Sequence, residues 1–266
     1  MGRAIFAHLG SAPAGHVAEG AGLRALGDVE TLDMVTGDDR PLHLRVHHLE
    51  RGATLYVDGP PVGHIFYLGR GQAEVDDQAI LPGGAVIVEH HGSAAIEARE
   101  DGTLLFEFSA QAPSPPEGVG GQVHVVPQTR PEKHNPVSRM MAACLIDGTC
   151  PSCALWMHHS EFPPHFKVPP HLHSEDEIIL VIAGDLTVGG RVLDAGAAAA
   201  IDSGTAYAFQ AGDRGVAFVN FRPSSPGYAM VERGRPAPLR SEHDAHTALP
   251  AAPQSEWCLP APDFSH

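Results

Sequence analysis

Short apolar runs separated by glycine- and proline-rich turns dominate the chain. The runs are rich in Val, Ile, Leu and Phe, and the breaks between them draw on 29 glycines and 24 prolines. Frequent turns between short β-branched and aromatic runs are typical of all-β proteins. The longest aliphatic run, residues 178–183, suits a buried strand and is too short to cross a bilayer. The pattern predicts an all-β protein with at most one short helix, near Ser138 to Ala143.

The composition changes at two places and divides the chain into candidate domains. Residues 112–121 combine proline stiffness with glycine freedom and offer almost nothing to bury, which is typical of a linker. Beyond Arg222 the sequence turns to Pro, Ala, His and acidic residues. A length of 266 residues suits two domains of ordinary size. We therefore expect a first domain at 1–111, a second at 122–223 and a tail at 224–266.

An internal repeat relates the two candidate domains. A shift of 113 residues places Gly71 on Gly184 and Phe108 on Phe221 without a gap. Between these anchors both copies alternate apolar strands with glycine-containing turns, as duplicated units do. The repeat predicts two β-barrel domains of the same kind.

Two histidines and a glutamate precede the longest aliphatic run in the second copy. His171, His173 and Glu177 differ by even steps, and even steps along a strand place side chains on one face of the sheet. Inside a barrel, two imidazoles and one carboxylate would converge on one point. These groups are ligands for Fe(II), Mn(II), Ni(II), Cu(II) or Zn(II). The spacing predicts one divalent-metal site.

The same residues resemble the first motif of the cupin superfamily, which has the form G-x5-H-x-H-x3-E-x6-G. His171, His173, Glu177 and Gly184 match this form with the correct spacing, and His165 stands where its first glycine would be. The resemblance implies tandem cupin barrels, each a double-stranded β-helix, or jelly roll.

The second cupin motif, G-x5-P-x-G-x2-H-x3-N, is kept only in part. Gly196 and Gly204 match its glycines, whereas Asp202, Tyr207 and Ala211 replace its proline, histidine and asparagine. The family's usual fourth metal ligand is therefore missing.

The first copy departs further from the family pattern. The resemblance extends over roughly residues 40–222, and the four ligand positions of the first copy hold Asp58, Pro60, His64 and Ala94. Proline and alanine side chains have no donor atom for a metal. The resemblance therefore implies a two-barrel protein whose first barrel is structural, or a pocket for something other than metal, and whose second barrel holds one metal ion.

Tyr207 stands at the fourth ligand position, which leaves two histidines and one carboxylate. This is the ligand composition of non-haem Fe(II) oxygenases, so Fe(II) is favoured over Mn, Ni, Zn or Cu. A phenol, with a pKa near 10, binds a divalent metal less readily than an imidazole does. Three roles stay open for Tyr207: a metal ligand, a hydroxyl that faces the substrate or a ligand, and a packed ring.

Three more histidines lie near the motif in the sequence and are considered for the site. His158 and His159 lie in a candidate strand, where alternation turns one of them inward. His165 lies just before the proline-rich entry to the motif. We expect Tyr207, His158 and His165 as the candidate catalytic residues, with a purely structural, hydrogen-bonded role as the alternative for each histidine.

Charge and cysteine content limit the partners and the compartment. Acidic residues number 32 against 17 basic ones, and no basic cluster interrupts them, so nucleic acid and anionic membrane are not expected partners. The N-terminus carries no targeting pattern, and four cysteines without an export signal predict reduced thiols in the cytoplasm. Cys150 and Cys153 have the spacing of a redox or zinc pair, although one pair alone is a weak signal.

Three functions follow as hypotheses. The first is a ferrous oxygenase that oxidises a small organic substrate with O2. The second is an isomerase, lyase or decarboxylase in which Mn, Ni or Zn is a Lewis acid. The third is a regulatory barrel that senses a small ligand. The resemblance to cupins also implies a possible homodimer formed through sheet edges.

Overall fold

The structure is a computed structural model that describes residues 3–17, 22–37, 39–111, 120–129, 132–133, 141–147, 150, 152, 155–232 and 234–241. Apart from one 3-10 turn at Leu9–Ser11, the regular secondary structure of this part of the chain consists of strands. It contains no helix with the length and apolar character needed to span a bilayer. Most of the expected linker (112–119), Cys153 and Trp257 lie outside the described residues.

The strands of the first half, in chain order, are β1 (Ala4–His8), β2 (Leu23–Leu26), β3 (Val29–Val35), β4 (Leu42–Leu49), β5 (Thr54–Asp58), β6 (His64–Arg70), β7 (Ala73–Val75), β8 (Gln78–Ile80), β9 (Ala85–Val88), β10 (Ser93–Ala98), β11 (Thr103–Ala110) and β12 (Val123–Val126). Those of the second half are β13 (Glu132–Lys133), β14 (Met141–Ile146), β15 (Trp156–Phe162), β16 (Lys167–His173), β17 (Glu177–Val188), β18 (Arg191–Asp194), β19 (Ala197–Ile201), β20 (Tyr207–Arg222), β21 (Gly227–Glu232), β22 (Arg235–Pro236) and β23 (Arg240–Ser241). The expected all-β class is confirmed.

The chain divides into two compact units. The first-half unit contains residues 7–129 together with 148–155, and the second-half unit contains residues 1–6, 130–147 and 156–265. Each unit thus includes a short segment from the other half of the sequence. The domain limits expected from composition stay a prediction.

The first-half unit consists of two antiparallel sheets. One has the strand order β12-β9-β6-β11-β4-β3, and the other has the order β2-β5-β10-β7-β8. Their inner faces share one core, in which Phe66, Val88 and Leu105 of the first sheet meet Leu55 and Ile96 of the second. Burial of these alternate positions from both sheets produces the jelly-roll sandwich.

The second-half unit repeats this arrangement around the long strands β17 and β20. Its strands form one continuous sheet with the order β1-β19-β17-β20-β15-β14-β13, which β16 joins through β20 and β21 joins through β16. The core contains Phe162, Ile179, Val181, Phe209 and Phe218, which alternate along their strands. Polar residues on the same faces as these apolar ones therefore point into the barrel.

Strand register shows the same internal repeat as the sequence. Ile65 of β6 is opposite Phe108 of β11, and Ile178 of β17 is opposite Phe221 of β20. Both partners shift by the same 113 residues, so the two barrels place equivalent positions opposite each other.

One expectation about local structure needs correction. Residues 141–143, expected at the end of a short helix, lie in strand β14, and the rest of that stretch lies outside the described residues. Residues 227–232, within the stretch expected to be a tail, form β21, which pairs with β16. Both segments are strands because a neighbouring strand provides their backbone hydrogen bonds, and this pairing cannot be read from the short segments alone.

Candidate functional site

The histidine pair of the second barrel lies on a strand with partners on both sides. β16 carries His171 and His173 and pairs with β20 and β21. His171 is opposite Tyr207 of β20, and His173 is opposite Tyr228 of β21. The imidazoles are 3% and 5% exposed, with 5.2 Å between the ring centroids. Both therefore point into the barrel, as their even spacing predicts.

Arg222 bridges His173 and Glu177 inside this barrel. Its Nη2 atom donates to Oε2 of Glu177 at 2.8 Å and to Nε2 of His173 at 3.0 Å. Glu177 begins β17, Arg222 ends β20, and both side chains are 1% exposed. A buried cation therefore lies between two of the three side chains expected to bind a metal.

Trp156 packs against the same guanidinium. It lies opposite Arg222 in the pairing of β15 with β20, and Cζ of Arg222 is 4.6 Å from the centroid of the indole ring. Trp156 is 3% exposed, so this cation–π contact is shielded from water and is stronger than a surface contact. The contact holds the guanidinium in place independently of its bond to Glu177.

Glu177 is held as a carboxylate. Burial raises its pKa, but the Arg222 charge opposes this effect, and the net pKa is below the ordinary value of 4.5. Hydrogen bonds from Tyr207 and from Nδ2 of Asn220, the latter at 2.9 Å, add to the lowering of the pKa. Glu177 is therefore ionised at neutral pH and forms a true ion pair with Arg222.

Aromatic rings form the walls around the histidine pair. The Tyr207 ring centroid is 4.4 Å from that of His171, and the Tyr228 centroid is 5.5 Å from both His171 and His173. Phe209 lies 6.1 Å from His171. Tyr207 and Tyr228 are only half-buried, so the two phenols form the more accessible part of the wall.

The three side chains expected to bind a metal meet only part of what a metal ion requires. Nδ1 of His171 is 2.8 Å from the carbonyl oxygen of Pro169, which orients Nε2 as a ligand would require. However, a neutral imidazole has one lone pair, and that of His173 accepts the Arg222 hydrogen bond. Within the described part of the chain, the ligand atoms of His171, His173 and Glu177 do not all lie within 4.8 Å of one another. In this arrangement they do not fit a resident metal, because Arg222 already supplies the positive charge.

The other candidate histidines fall in different places. His158 is buried, and its Nδ1 is 3.0 Å from the hydroxyl of Ser160 on the same face of β15. His159 is turned the other way by alternation and lies 3.1 Å from Glu161. The structure does not bring His165 to the site, because its side chain is 65% exposed. It lines a surface pocket beside Asp213 instead.

The first barrel also holds a buried carboxylate. Glu107 is fully buried and lies 2.8 Å from Nε2 of His47 and 3.0 Å from Nδ1 of His64. In the repeat, Glu107 matches Asn220, and His64 matches Glu177. The buried carboxylate therefore lies on β11 in the first barrel and on β17, which does not match β11, in the second. In both barrels it accepts hydrogen bonds from basic side chains.

Sequence reasoning missed Arg222, Asn220 and Trp156. A usable signal was present, since Asn220 and Arg222 are two polar residues at even spacing at the end of the apolar strand β20. A buried arginine needs a buried carboxylate, and the repeat placed Glu177 on the neighbouring strand.

No protein-family model matches the chain, and no curated protein matches its sequence. Solved structures do match it. Protein Ylba from E. coli is 11% identical, with a TM-score of 0.65 over 83% of this chain and 90% of that one. A cupin 2 conserved barrel domain protein from Leptotrichia buccalis is 16% identical, with a TM-score of 0.50 over 74% and 89%. The E. coli pirin YhhW, in complex with nickel(II), is 11% identical, with a TM-score of 0.60 over 84% and 100%.

These likenesses confirm the cupin fold, which was expected from the resemblance of the second-half motif to the first cupin motif. At such low identities they establish the architecture and leave the chemistry to the residues of this chain. The homodimer, the cytoplasmic location and the absence of nucleic-acid and membrane partners stay predictions.

Proposed function

We propose that the second barrel of this cupin fold binds a small, neutral, planar organic molecule. Its side chains then accept a proton from one atom of that molecule and donate a proton to another, without a metal ion. The observation that carries the proposal is the Arg222 guanidinium, which lies between His173 and Glu177. The charge that a metal would bring to this interior is provided by the chain itself.

The charge balance of the site favours a neutral ligand. Glu177 and Arg222 are both buried and cancel each other. An anion would compete with Glu177 for the guanidinium, and a cation would compete with Arg222 for the carboxylate. Either exchange would leave a buried charge without its partner, which costs several kcal/mol, on the order of 3–5.

The walls of the site favour a flat ligand. The ring centroids of Tyr207 and Tyr228 lie 4.4 Å and 5.5 Å from that of His171, and both phenols are half-buried. Aromatic side chains stack on planar groups and offer their polar edges for hydrogen bonds. An enol or a hydroxylated aromatic ring suits such walls.

Proton transfer is assigned to His171 and Tyr207. The bond from Nδ1 of His171 to the carbonyl of Pro169 places a proton on Nδ1, so Nε2 is the nitrogen with the lone pair and can accept a proton from a ligand hydroxyl. The Tyr207 hydroxyl is linked to Glu177 by a hydrogen bond and is the neighbouring proton donor. This pair supports keto–enol isomerisation or a related proton-transfer reaction.

Three probes of similar size test the ligand class by calorimetry. Catechol is planar and neutral, benzoate is planar and anionic, and cyclohexane-1,2-diol is neutral but not planar. We expect catechol to bind about tenfold tighter than either of the others. His171→Phe keeps the aromatic ring but removes the nitrogen that accepts the ligand hydroxyl, so it should weaken catechol binding. Stronger binding of benzoate, or catechol binding that is unchanged in His171→Phe, would contradict the proposal.

A ferrous oxygenase is the second candidate. His171, His173 and Glu177 keep the motif spacing, and Nε2 of His171 is oriented as a ligand. A bound Fe(II) would supply O2 activation, but only after Arg222 had left His173. Oxygen consumption by anaerobically prepared, iron-treated protein with catechol, absent in His171→Ala, would favour this candidate over the first.

A further inference from the structure

A separate group of metal-ligating side chains lies in the first-half unit. Glu89, His124 and Cys150 place a carboxylate oxygen, an imidazole nitrogen and a thiol sulfur within 4.8 Å of one another. Glu89 is fully buried, whereas the His124 side chain is 39% exposed. Within the part of the chain that the structure describes, no other trio of His, Cys, Asp or Glu meets this distance.

The sheet positions this group away from the barrel core. His124 of β12 is opposite Ile87 of β9, while the neighbouring Val88 belongs to the core. Alternation therefore places His124 on the outer face, and Glu89 follows directly after the end of β9. Cys150 belongs to the segment 148–155, which is part of the same compact unit. All three side chains thus belong to the first-half unit.

The three ligand atoms converge on one point. Nε2 of His124 lies 2.8 Å from Oε1 of Glu89 and 4.0 Å from Sγ of Cys150, and Sγ lies 3.6 Å from the same Oε1. In a nucleophile relay, the acid and the nucleophile engage opposite nitrogens of the histidine. Here Glu89 and Cys150 both lie beside Nε2 of His124. This arrangement does not suit a relay, but it suits three ligands of one metal ion.

The spacing suits tetrahedral zinc. Bond lengths of about 2.0 Å to N and O and about 2.3 Å to S, at the tetrahedral angle, separate the ligand atoms by roughly 3.3 to 3.6 Å. The observed separations between the ligand atoms are 2.8, 3.6 and 4.0 Å. To bind zinc, these atoms would therefore have to move by about half an ångström relative to one another. A carboxylate and a thiolate would also balance the two positive charges.

Two further hydrogen bonds hold the carboxylate of Glu89. Ser152 Oγ donates to Oε1 of Glu89 at 2.7 Å, and the backbone N–H of Gln122 donates to Oε2 at 3.1 Å. Burial raises the pKa of Glu89, but these bonds and the one from His124 outweigh it, and the net pKa is lowered. Outer hydrogen bonds of this kind orient metal-ligating carboxylates.

We propose that Glu89, His124 and Cys150 bind one zinc ion, with the fourth coordination position open on the side of the half-exposed His124. Cys153 stands three residues after Cys150 in the sequence and lies outside the described residues.

Cobalt(II) titration of the reduced full-length protein tests the site. Cobalt replaces zinc in tetrahedral sites and gives a near-ultraviolet thiolate charge-transfer band when a cysteine ligates it. We expect one cobalt per chain with this band, displaced by zinc. Cys150→Ser should abolish the band, and His124→Gln should weaken cobalt binding about tenfold or more.

Two further variants keep the test decisive. Cys144→Ser removes another thiol, which lies on β14, and should leave the band intact. Ser152→Ala keeps all three ligands and should retain the band with weaker affinity. A wild-type protein without the band, a band that persists in Cys150→Ser, or an equal loss in Cys144→Ser would overturn the proposal.

Discussion

Arg222 and Glu177 form an ion pair of 2.8 Å in the interior of the second barrel, and each side chain is 1% exposed. The pair lies at a place where the family resemblance implies a metal ion. Its second hydrogen bond, to His173, removes the lone pair that a metal would use. Histidine and glutamate at motif spacing are therefore compatible with a site whose cation is a side chain.

Removal of one partner of this pair should destabilise the second barrel strongly. Arg222→Ala leaves the Glu177 carboxylate buried without its cation, which costs about 3–5 kcal/mol of unfolding free energy. Urea denaturation followed by circular dichroism measures this loss. The double variant Arg222→Met with Glu177→Gln removes both charges and should be closer to wild type. A single variant as stable as the double one would show that the pair is not buried as described.

The first barrel should be sensitive to acid through Glu107. Burial raises the pKa of this carboxyl, but hydrogen bonds from His47 and His64 outweigh burial and hold its pKa well below the ordinary 4.5. A lowered folded-state pKa contributes stability that is present above the unfolded-state value and is lost as the pH falls through the folded one. Unfolding free energy should therefore decline below about pH 4.5.

Glu107→Gln is the matched variant for that prediction. It cannot ionise, so its unfolding free energy should fall less steeply between about pH 4.5 and pH 3 than that of the wild type, while it is less stable at pH 7. Urea unfolding at several pH values measures both effects. Identical pH profiles for the two proteins would contradict a role for the Glu107 carboxylate.

Gly184 closes the first motif and should not tolerate a side chain. Its φ is +70°, and a Cβ atom there would lie 2.1 Å from the carbonyl oxygen of Gly215. Gly189 has a φ of +56° but open space around it, so Gly189→Ala isolates the cost of the backbone conformation, about 1–2 kcal/mol. Gly184→Ala should cost clearly more in thermal unfolding. Equal losses in the two variants would show that Gly215 moves away freely.

Much of the architecture was predictable because it is encoded in local patterns. Alternation along β17 and the glycines of its turns predict strands, and the repeat predicts a second barrel. The inward direction of His171 and His173 followed from even spacing alone. The strand β21 could not be predicted in this way, because its apolar and polar residues do not alternate clearly. Its place in the sheet is evident only from its pairing with β16.

The contents of the site were harder to predict for a physical reason. Motif spacing fixes which side chains face inward, but not which cation balances them. Arg222 reaches Glu177 from a strand 45 positions further along the chain, as the hydrogen bond between them shows. Similarly, Cys150 meets Glu89 only through the fold, although its Cys-x-x-Cys spacing marked it as a candidate ligand.

The most direct test is a nickel(II) titration of Cys150→Ser protein by calorimetry. This background removes the thiol of the site proposed in the first-half unit, and dependence on His171 distinguishes nickel bound in the second barrel from nickel bound by the remaining Glu89 and His124. We predict no binding that depends on His171 while Arg222 is present, and a new His171-dependent site in the additional variant Arg222→Ser, which carries the serine found at the matching position 109 of the first copy. One tightly bound nickel per chain with Arg222 intact, lost in His171→Ala, would contradict the account.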